Sequence, residues 1–333
     1  MTSAALPAKA STFVSVFARL AALVLCLLVA ASTASAWSAR AQASQGGASL
    51  SVAAGSRLDR ARRFWTAERM KEARGLPVHL PGSAKLADGT PGTSPPTPLP
   101  GESIVPTETI ADPTVPGVSQ NGVVFVVGRF GTLGRCSGTS VNAPNSSLVI
   151  TAGHCVHEGR HWMGTKWVFV PGYHHGERPF GTFVAKWLGS TPQWIRSENS
   201  NYDVGAAVVS RNERGQRLAD AVGADDIAWN LPLNQAFDVY GYPVAEPFDG
   251  ATLQHCAQTP YEGHAFFSLL TSGPLDLAVH CEISAGASGG GWIISGDVLN
   301  GVTAEGYPGD DTNYGPYFGK EVAKLYGRAA KVK

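Results

Sequence analysis

Gly286-Ala287-Ser288-Gly289-Gly290-Gly291-Trp292 is the stretch on which the reading of this sequence turns. A serine flanked by glycines can sit on a sharp, exposed turn where a neighbouring Cβ would collide with an approaching carbonyl. The backbone N–H groups of Gly286 and Ser288 can converge there on a developing oxyanion. Losing one donor of this kind typically costs on the order of 3 kcal/mol of transition-state stabilisation. A glycine run is often simply a flexible surface loop, so the turn acquires chemical meaning only with a base and an acid to serve it.

Two further patterns offer them. Thr151-Ala152-Gly153-His154-Cys155 directly follows the apolar run Leu148 to Ile150, which places a histidine at a strand end beside a cysteine able to hold it. Taken alone, a histidine is more often structural or surface-exposed. Asn201-Tyr202-Asp203-Val204-Gly205-Ala206-Ala207-Val208-Val209 brings a carboxylate to the mouth of a buried apolar strand. In isolation Asp203 would read as a turn or capping residue, yet an acid so placed can hold an imidazole in one tautomer and stabilise it once charged. The three patterns occur in the chain order His, Asp, Ser, and such orders distinguish one triad fold from another.

Around these motifs the texture is one of short apolar runs between Gly, Pro, Asn and Ser. Val123 to Val127, Ser147 to Ile150, Trp167 to Val170 and Trp292 to Ile294 are strand signals. Helical periodicity is scarce until Glu321 to Ala330, where Val322, Leu325 and Ala329 share a face, so the domain should be mostly antiparallel β with one terminal helix. The polar segment Arg211 to Asn230 reads as the crossover between two halves.

The chain has 333 residues, and 44% hydrophobic content with 9% aromatics is enough to close a core. Its 26 basic and 26 acidic side chains balance, so the total charge points to neither nucleic acid nor an acidic membrane as partner. The balance conceals 11 Lys/Arg against 7 Asp/Glu in residues 1–118 and 15 against 19 in residues 119–333, net +4 followed by net −4. The front third is a different kind of segment. Residues 1–36 read as a secretory signal, with Lys9 and Arg19 basic, Leu20 to Ala31 apolar and Ala34-Ser35-Ala36 a small-residue cleavage site. The apolar run falls short of the roughly 20 residues of a spanning helix, so no stable membrane anchor is expected.

Removal of that signal takes Cys26 with it and leaves Cys136, Cys155, Cys256 and Cys281, an even set that argues for disulfides in an exported chain. Four cysteines allow three pairings. Pairing of sequence neighbours, Cys136–Cys155 and Cys256–Cys281, is the simplest and closes loops worth on the order of 3 kcal/mol each. Residues 56–74 read as one short basic amphipathic helix with Ser56 and Asp59 as a weak capping pair, and the stretch from Leu76 to Val118, dense in Pro, Gly, Thr and Ser, as an extended linker without a core. Together residues 37–118 form a propeptide or, equally on composition, a solvated tail.

On these motifs the chain resembles the trypsin and chymotrypsin family, within it the secreted bacterial trypsin-like and glutamyl-endopeptidase-like branch, over residues 119–333. VFVPGYHHGERPFG, the YGYP of residues 240–243 and GPYFGKEVAKLYGRA are similar to that branch as well. The resemblance implies two six-stranded antiparallel β-barrels, about 119–210 and about 228–318, with the triad in the cleft between them and a helix at about 320–330. It implies a secreted serine endopeptidase with His154 as general base, Asp203 as orienting acid, Ser288 as nucleophile, Gly286 and Ser288 as oxyanion donors, and Cys136 paired with Cys155. Polypeptides are then the substrates, the enzyme a monomer without cofactor, and the alternative a catalytically silent protease fold used as a binding module.

Departures from the family pattern refine these expectations. Ala287 stands where members activated by N-terminal insertion carry Asp, so that salt bridge is not expected here. Gly291 stands where Pro often follows and should loosen the turn. Ala304 replaces a frequent serine in the strand, about Gly301 to Glu305, expected to flank bound peptide together with Thr303. Glu282 lies near the position of the acid that selects Lys or Arg, although an acid in a loop is more often solvated or paired. A glutamate preference would need a cation near Thr303, and the sequence has none. His154, His157, His161, His174 and His175 fall close together but lack HExxH, so no metal site is expected.

Overall fold

The computed structural model describes residues 49–51, 55–76, 105–159, 161–260, 272–283, 285–306 and 312–333. All of these belong to one unit, Ala48–Lys333. The expected signal segment and residues 77–104 of the expected linker lie outside the described residues.

Strands β1 (Asn121–Val127), β2 (Leu133–Val141), β3 (Leu148–Ala152), β4 (Val168–Pro171), β5 (Phe183–Ser190) and β6 (Val204–Val209) pair antiparallel in the order β5-β6-β3-β2-β1-β4. β4 pairs back to β5 and closes a six-stranded barrel. Its interior is filled by Val124, Val126, Val149, Phe169, Phe183 and Leu188, each contributing about 1.5–3 kcal/mol through burial of its side chain. The intervening residues Val123, Phe125, Val168 and Val170 belong to a second apolar cluster and are also buried. Helices α1 (Ser56–Phe64) and α2 (Ala67–Glu72) cover them with Ala61, Trp65, Met70 and Ala73. The unbroken run Val123 to Val127 is what a strand covered on both faces requires.

The helical segment differs from the single helix read in the sequence. Trp65 leaves the helical conformation to enter the core, where its indole N–H donates to the Lys166 carbonyl at 2.6 Å. Thr66 then restarts the chain as the N-cap of α2, its hydroxyl accepting from the Arg69 N–H at 3.4 Å. Gly55, not the Ser56–Asp59 pair, occupies the N-cap of α1. The coreless linker likewise ends earlier than Val118. Val105 bridges Cys281, Glu108–Thr109 pairs with the strand at Gln254–His255, and the Ile110 N–H donates to Leu253.

The second half holds β7 (Ala236–Gly241), β8 (Gln254–Pro260), β9 (Leu277–His280), β10 (Gly291–Ile294), β11 (Val298–Val302), β12 (Glu305–Gly306) and β13 (Thr312–Gly315). One sheet runs β11-β10-β7-β8, widened by Asp226–Ile227 beside β11 and Glu108–Thr109 beside β8; the other runs β9-β13-β12. They pack around Phe237, Val239, Leu277, Val279 and Trp292. The terminal helix α3 (Lys320–Ala329) buries Val322, Leu325 and Ala329 against Leu148, Ile150 and Val208 of the barrel and Ile293 and Leu299 of the second half. The expected architecture of two β halves with a terminal helix is thus present. The crossover 211–230 carries a short helix, Leu218–Val222, and the strand Asp226–Ile227.

Candidate active site

His154 lies in the turn that ends β3. Cys155 donates to Ala152 and His157 to Gly153, so the chain reverses within a few residues. A Cβ on Gly153 would lie 2.6 Å from the Asp203 carboxylate, which accounts for a glycine at this position. Asp203 follows a 3-10 turn, Ser200–Tyr202, and precedes β6. Its Oδ1 accepts the His154 backbone N–H at 2.7 Å and its Oδ2 pairs with His154 Nδ1 at 2.7 Å. Both residues are 1% exposed. With the carboxylate accepting, Nδ1 carries the proton and Nε2 presents its lone pair. That Nε2 is buried and has no hydrogen-bond partner among the described residues.

Ser288 is brought to the same place by contacts from both halves. Its carbonyl accepts from the Ser137 N–H at 2.7 Å and lies 3.7 Å from Cys155 Sγ, one residue from His154. Gly289 donates to Thr303 at 2.6 Å, Thr303 donates to Gly290 at 3.0 Å, and Gly290 donates to Ala287 at 2.8 Å, closing the turn. Gly286 and Gly289 have φ of +96° and +81°, the left-handed region that glycine enters without steric cost. The backbone N–H groups of Gly286 and Ser288 donate no backbone hydrogen bond among the described residues. Ser137 braces this loop: its hydroxyl donates to the Gly286 carbonyl at 3.0 Å and accepts from the Tyr242 N–H at 2.9 Å.

The remaining positions read from the sequence fall as follows. Cys136–Cys155 and Cys256–Cys281 are disulfides, the neighbour pairing. Thr303 is buried and its hydroxyl accepts from the Trp292 indole at 2.9 Å, while the Ala304 N–H donates to Tyr314. The Glu282 side chain is exposed, and its carbonyl accepts from the Thr107 hydroxyl at 2.9 Å. Ala287 is buried, and a Cβ on Gly241 would come within 2.7 Å of its methyl group, so the wall behind it is tight. At Gly291 a Cβ would meet Thr139 Oγ1 at 2.5 Å and Leu299 at 3.0 Å, so a proline there would need its neighbours to shift.

Cys136, His154 and Cys155 are the only metal-ligand trio among the described residues, and both sulfurs are joined to each other rather than available as thiolates. Two groups escaped the sequence reading. Ser137 had its only signal in lying next to Cys136. Asp276 and Glu305 are buried acids, distant in sequence; burial, then the charges of Glu305 and Asp203, holds the Asp276 carboxyl well above the usual range.

No protein-family model matches the chain. The structure is similar to the protease Anisep from Arthrobacter nicotinovorans, at 33% identity and a TM-score of 0.62, over 68% of this chain and 100% of that one. It is also similar to AL20, a thermostable serine protease from an extremophilic microorganism, at 31% identity and a TM-score of 0.59, over 66% of this chain and 100% of that one. Fold and relatives together define a peptidase. An extracellular metalloprotease of Bacillus subtilis is 30% identical over 113 residues, so the chain matches about a third, 34%, of that curated relative's length. The full-length structural relatives show that the chain belongs to the chymotrypsin/trypsin-like serine protease family.

Proposed function

We propose that this protein is an exported serine endopeptidase that cleaves polypeptides through an acyl-enzyme. The observation that carries the reading is Asp203 bound through both oxygens to His154, whose Nε2 is left without a partner beside the Ser288 turn. Ser288 Oγ attacks the substrate carbonyl carbon as its proton passes to Nε2; the imidazolium formed is stabilised by Asp203. The carbonyl oxygen becomes an oxyanion held by the Gly286 and Ser288 N–H groups. Collapse expels the amine, which takes the proton from Nε2. Water, deprotonated by the same nitrogen, then attacks the acyl-enzyme, releases the acid and restores Ser288.

Thr303 and Ala304 lie one strand-step from the nucleophile turn and are the proposed flank for the bound peptide. The exposed side chain of Glu282 suits recognition at the rim of a primary site better than at its floor. Export follows from the signal-like residues 1–36 and accords with two disulfides; among the described residues no helix is long and apolar enough to cross a membrane. The test is to label the secreted, processed protein with a fluorophosphonate beside a Ser288→Ala control, and then to profile cleavage of a peptide library. Covalent labelling that requires Ser288 is expected. Folded, processed protein that stays unlabelled would overturn the reading.

A further inference from the structure

We propose that residues 55–76 are a built-in inhibitor of this enzyme: the strand Arg74–Gly75 crosses the Ser288 site as a strap, anchored by α1 and α2, and denies a peptide access until it is displaced. The inference rests on the serine-peptidase reading above.

The strap occupies a peptide-binding edge. Arg74 and Gly75 pair in parallel with Gly134 and Arg135 of β2, and the Leu76 N–H donates to the Arg135 carbonyl at 3.2 Å. Adding an extended segment to a strand edge is a common mode of peptide capture. Here the edge belongs to the strand that continues into Cys136 and Ser137, the residue bound to the Ser288 carbonyl. The pairing therefore ends at the site, not on a remote flank.

Gly75 also touches the loop that would hold the oxyanion. A Cβ added to Gly75 would lie 2.8 Å from the Gly286 nitrogen and 2.9 Å from the Ala285 carbonyl carbon. Only glycine lets the strap pass this close. Its presence coincides with closure: Ser288 is 2% exposed and His154 1%, and Nε2 is sealed from solvent. A groove of about 780 Å³, with Gly75, Phe130, Leu133 and His161 among its walls, runs along the strap. Arg74, Gly75 and Leu76 line this groove, while Ser288 is buried.

The anchor explains why the strap stays. Ala61, Trp65, Met70 and Ala73 bury themselves on Val123, Phe125, Val168 and Val170 of the barrel and on Tyr242 and Leu253 of the second half. Trp65 is held at both ends, its indole on Lys166 and its carbonyl accepting from Arg178 Nη1 at 3.3 Å. Without residues 55–76 that apolar row would face water, a liability for a free surface. The row is therefore matched to this occupant.

The test compares the full chain with full-chain Gly75→Val, which forces a side chain against Gly286, and Leu76→Asp, which places a charge where Leu76 is buried. Thermal unfolding establishes that each protein is folded, and the rate of acylation by a fluorophosphonate reads the access to Ser288. Both variants should acylate at least about tenfold faster than the wild type, because the rate follows the open fraction of the site. Equal, measurable rates in wild type and either folded variant would overturn the strap and leave the peptidase reading intact. If Gly75→Val does not fold, Leu76→Asp decides the question by the same comparison. Folded proteins of which none acylates would overturn the serine-peptidase reading, and the inhibitor with it.

Discussion

Asp203 uses its two oxygens for different purposes. Oδ1 fixes the backbone of His154 and Oδ2 fixes the ring, each at 2.7 Å, so the acid determines both where the imidazole sits and which nitrogen is free. Asp203→Asn leaves one acceptor and adds a donor, which favours the tautomer with its proton on Nε2, unable to accept from Ser288. The expected outcome is a fall in kcat on the order of 10⁴ with little change in KM, read from steady-state hydrolysis of a chromogenic peptide by the processed enzyme. A small effect would mean that Asp203 merely positions the turn. Ser137 makes a complementary case. Replacing it by alanine strands the buried Tyr242 N–H and Gly286 carbonyl, each worth about 1–3 kcal/mol. Ser137→Ala should therefore lower Tm by several degrees and depress kcat as the Gly286 loop loses its brace. Calorimetry and kinetics on one preparation check both effects.

At the scale of elements, the Cys136–Cys155 disulfide joins β2 to the turn that carries His154, with a sequence separation of 19. The double replacement Cys136→Ala, Cys155→Ala should cost about 3 kcal/mol in urea unfolding and loosen His154 more than the Ser288 turn. These parts were legible in the sequence because each is local: a glycine-flanked serine, a histidine at a strand end and an acid before an apolar strand all carry their geometry in a few neighbouring residues. The unbroken run Val123 to Val127 announced a buried strand, but not what covers its second face. That cover comes from Trp65, which breaks the helix that periodicity predicts; the pull of a tertiary pocket on one side chain leaves no mark on helical spacing. Nor does composition reveal that residues 105–110, within a stretch rich in Pro and Thr, pair their backbone with the second half. Ser137, Asp276 and Glu305 were illegible for a further reason: their roles exist only once strands distant in the sequence have been brought together.

The two halves meet at a buried acid. Asp225 lies in the crossover, its N–H donating to the Ser140 carbonyl at 3.0 Å and its carbonyl accepting from Asn142 at 2.8 Å, one residue before the strand that pairs with β11. Burial first, then the charges of Asp297 and Asp226, pushes its carboxyl up to about 7. The folded chain thus retains a proton that the unfolded chain releases near pH 4. Stability from this group is complete below that value, declines as pH rises from about 4 to 7, and is flat above. A rise of about three pKa units corresponds to up to about 4 kcal/mol of destabilisation at pH 8. Asp276 is shifted in the same direction, so the wild type alone does not isolate Asp225. Asp225→Asn does: it removes the titration while keeping the shape. Urea unfolding of the full chain should find the variant more stable than wild type by up to about 4 kcal/mol at pH 8 and indistinguishable from it at pH 4. A constant difference across that range would mean that Asp225 keeps its charge in the folded protein, held by a partner at the junction. A variant less stable at every pH would mean that the carboxyl, protonated or not, makes a bond the amide cannot replace.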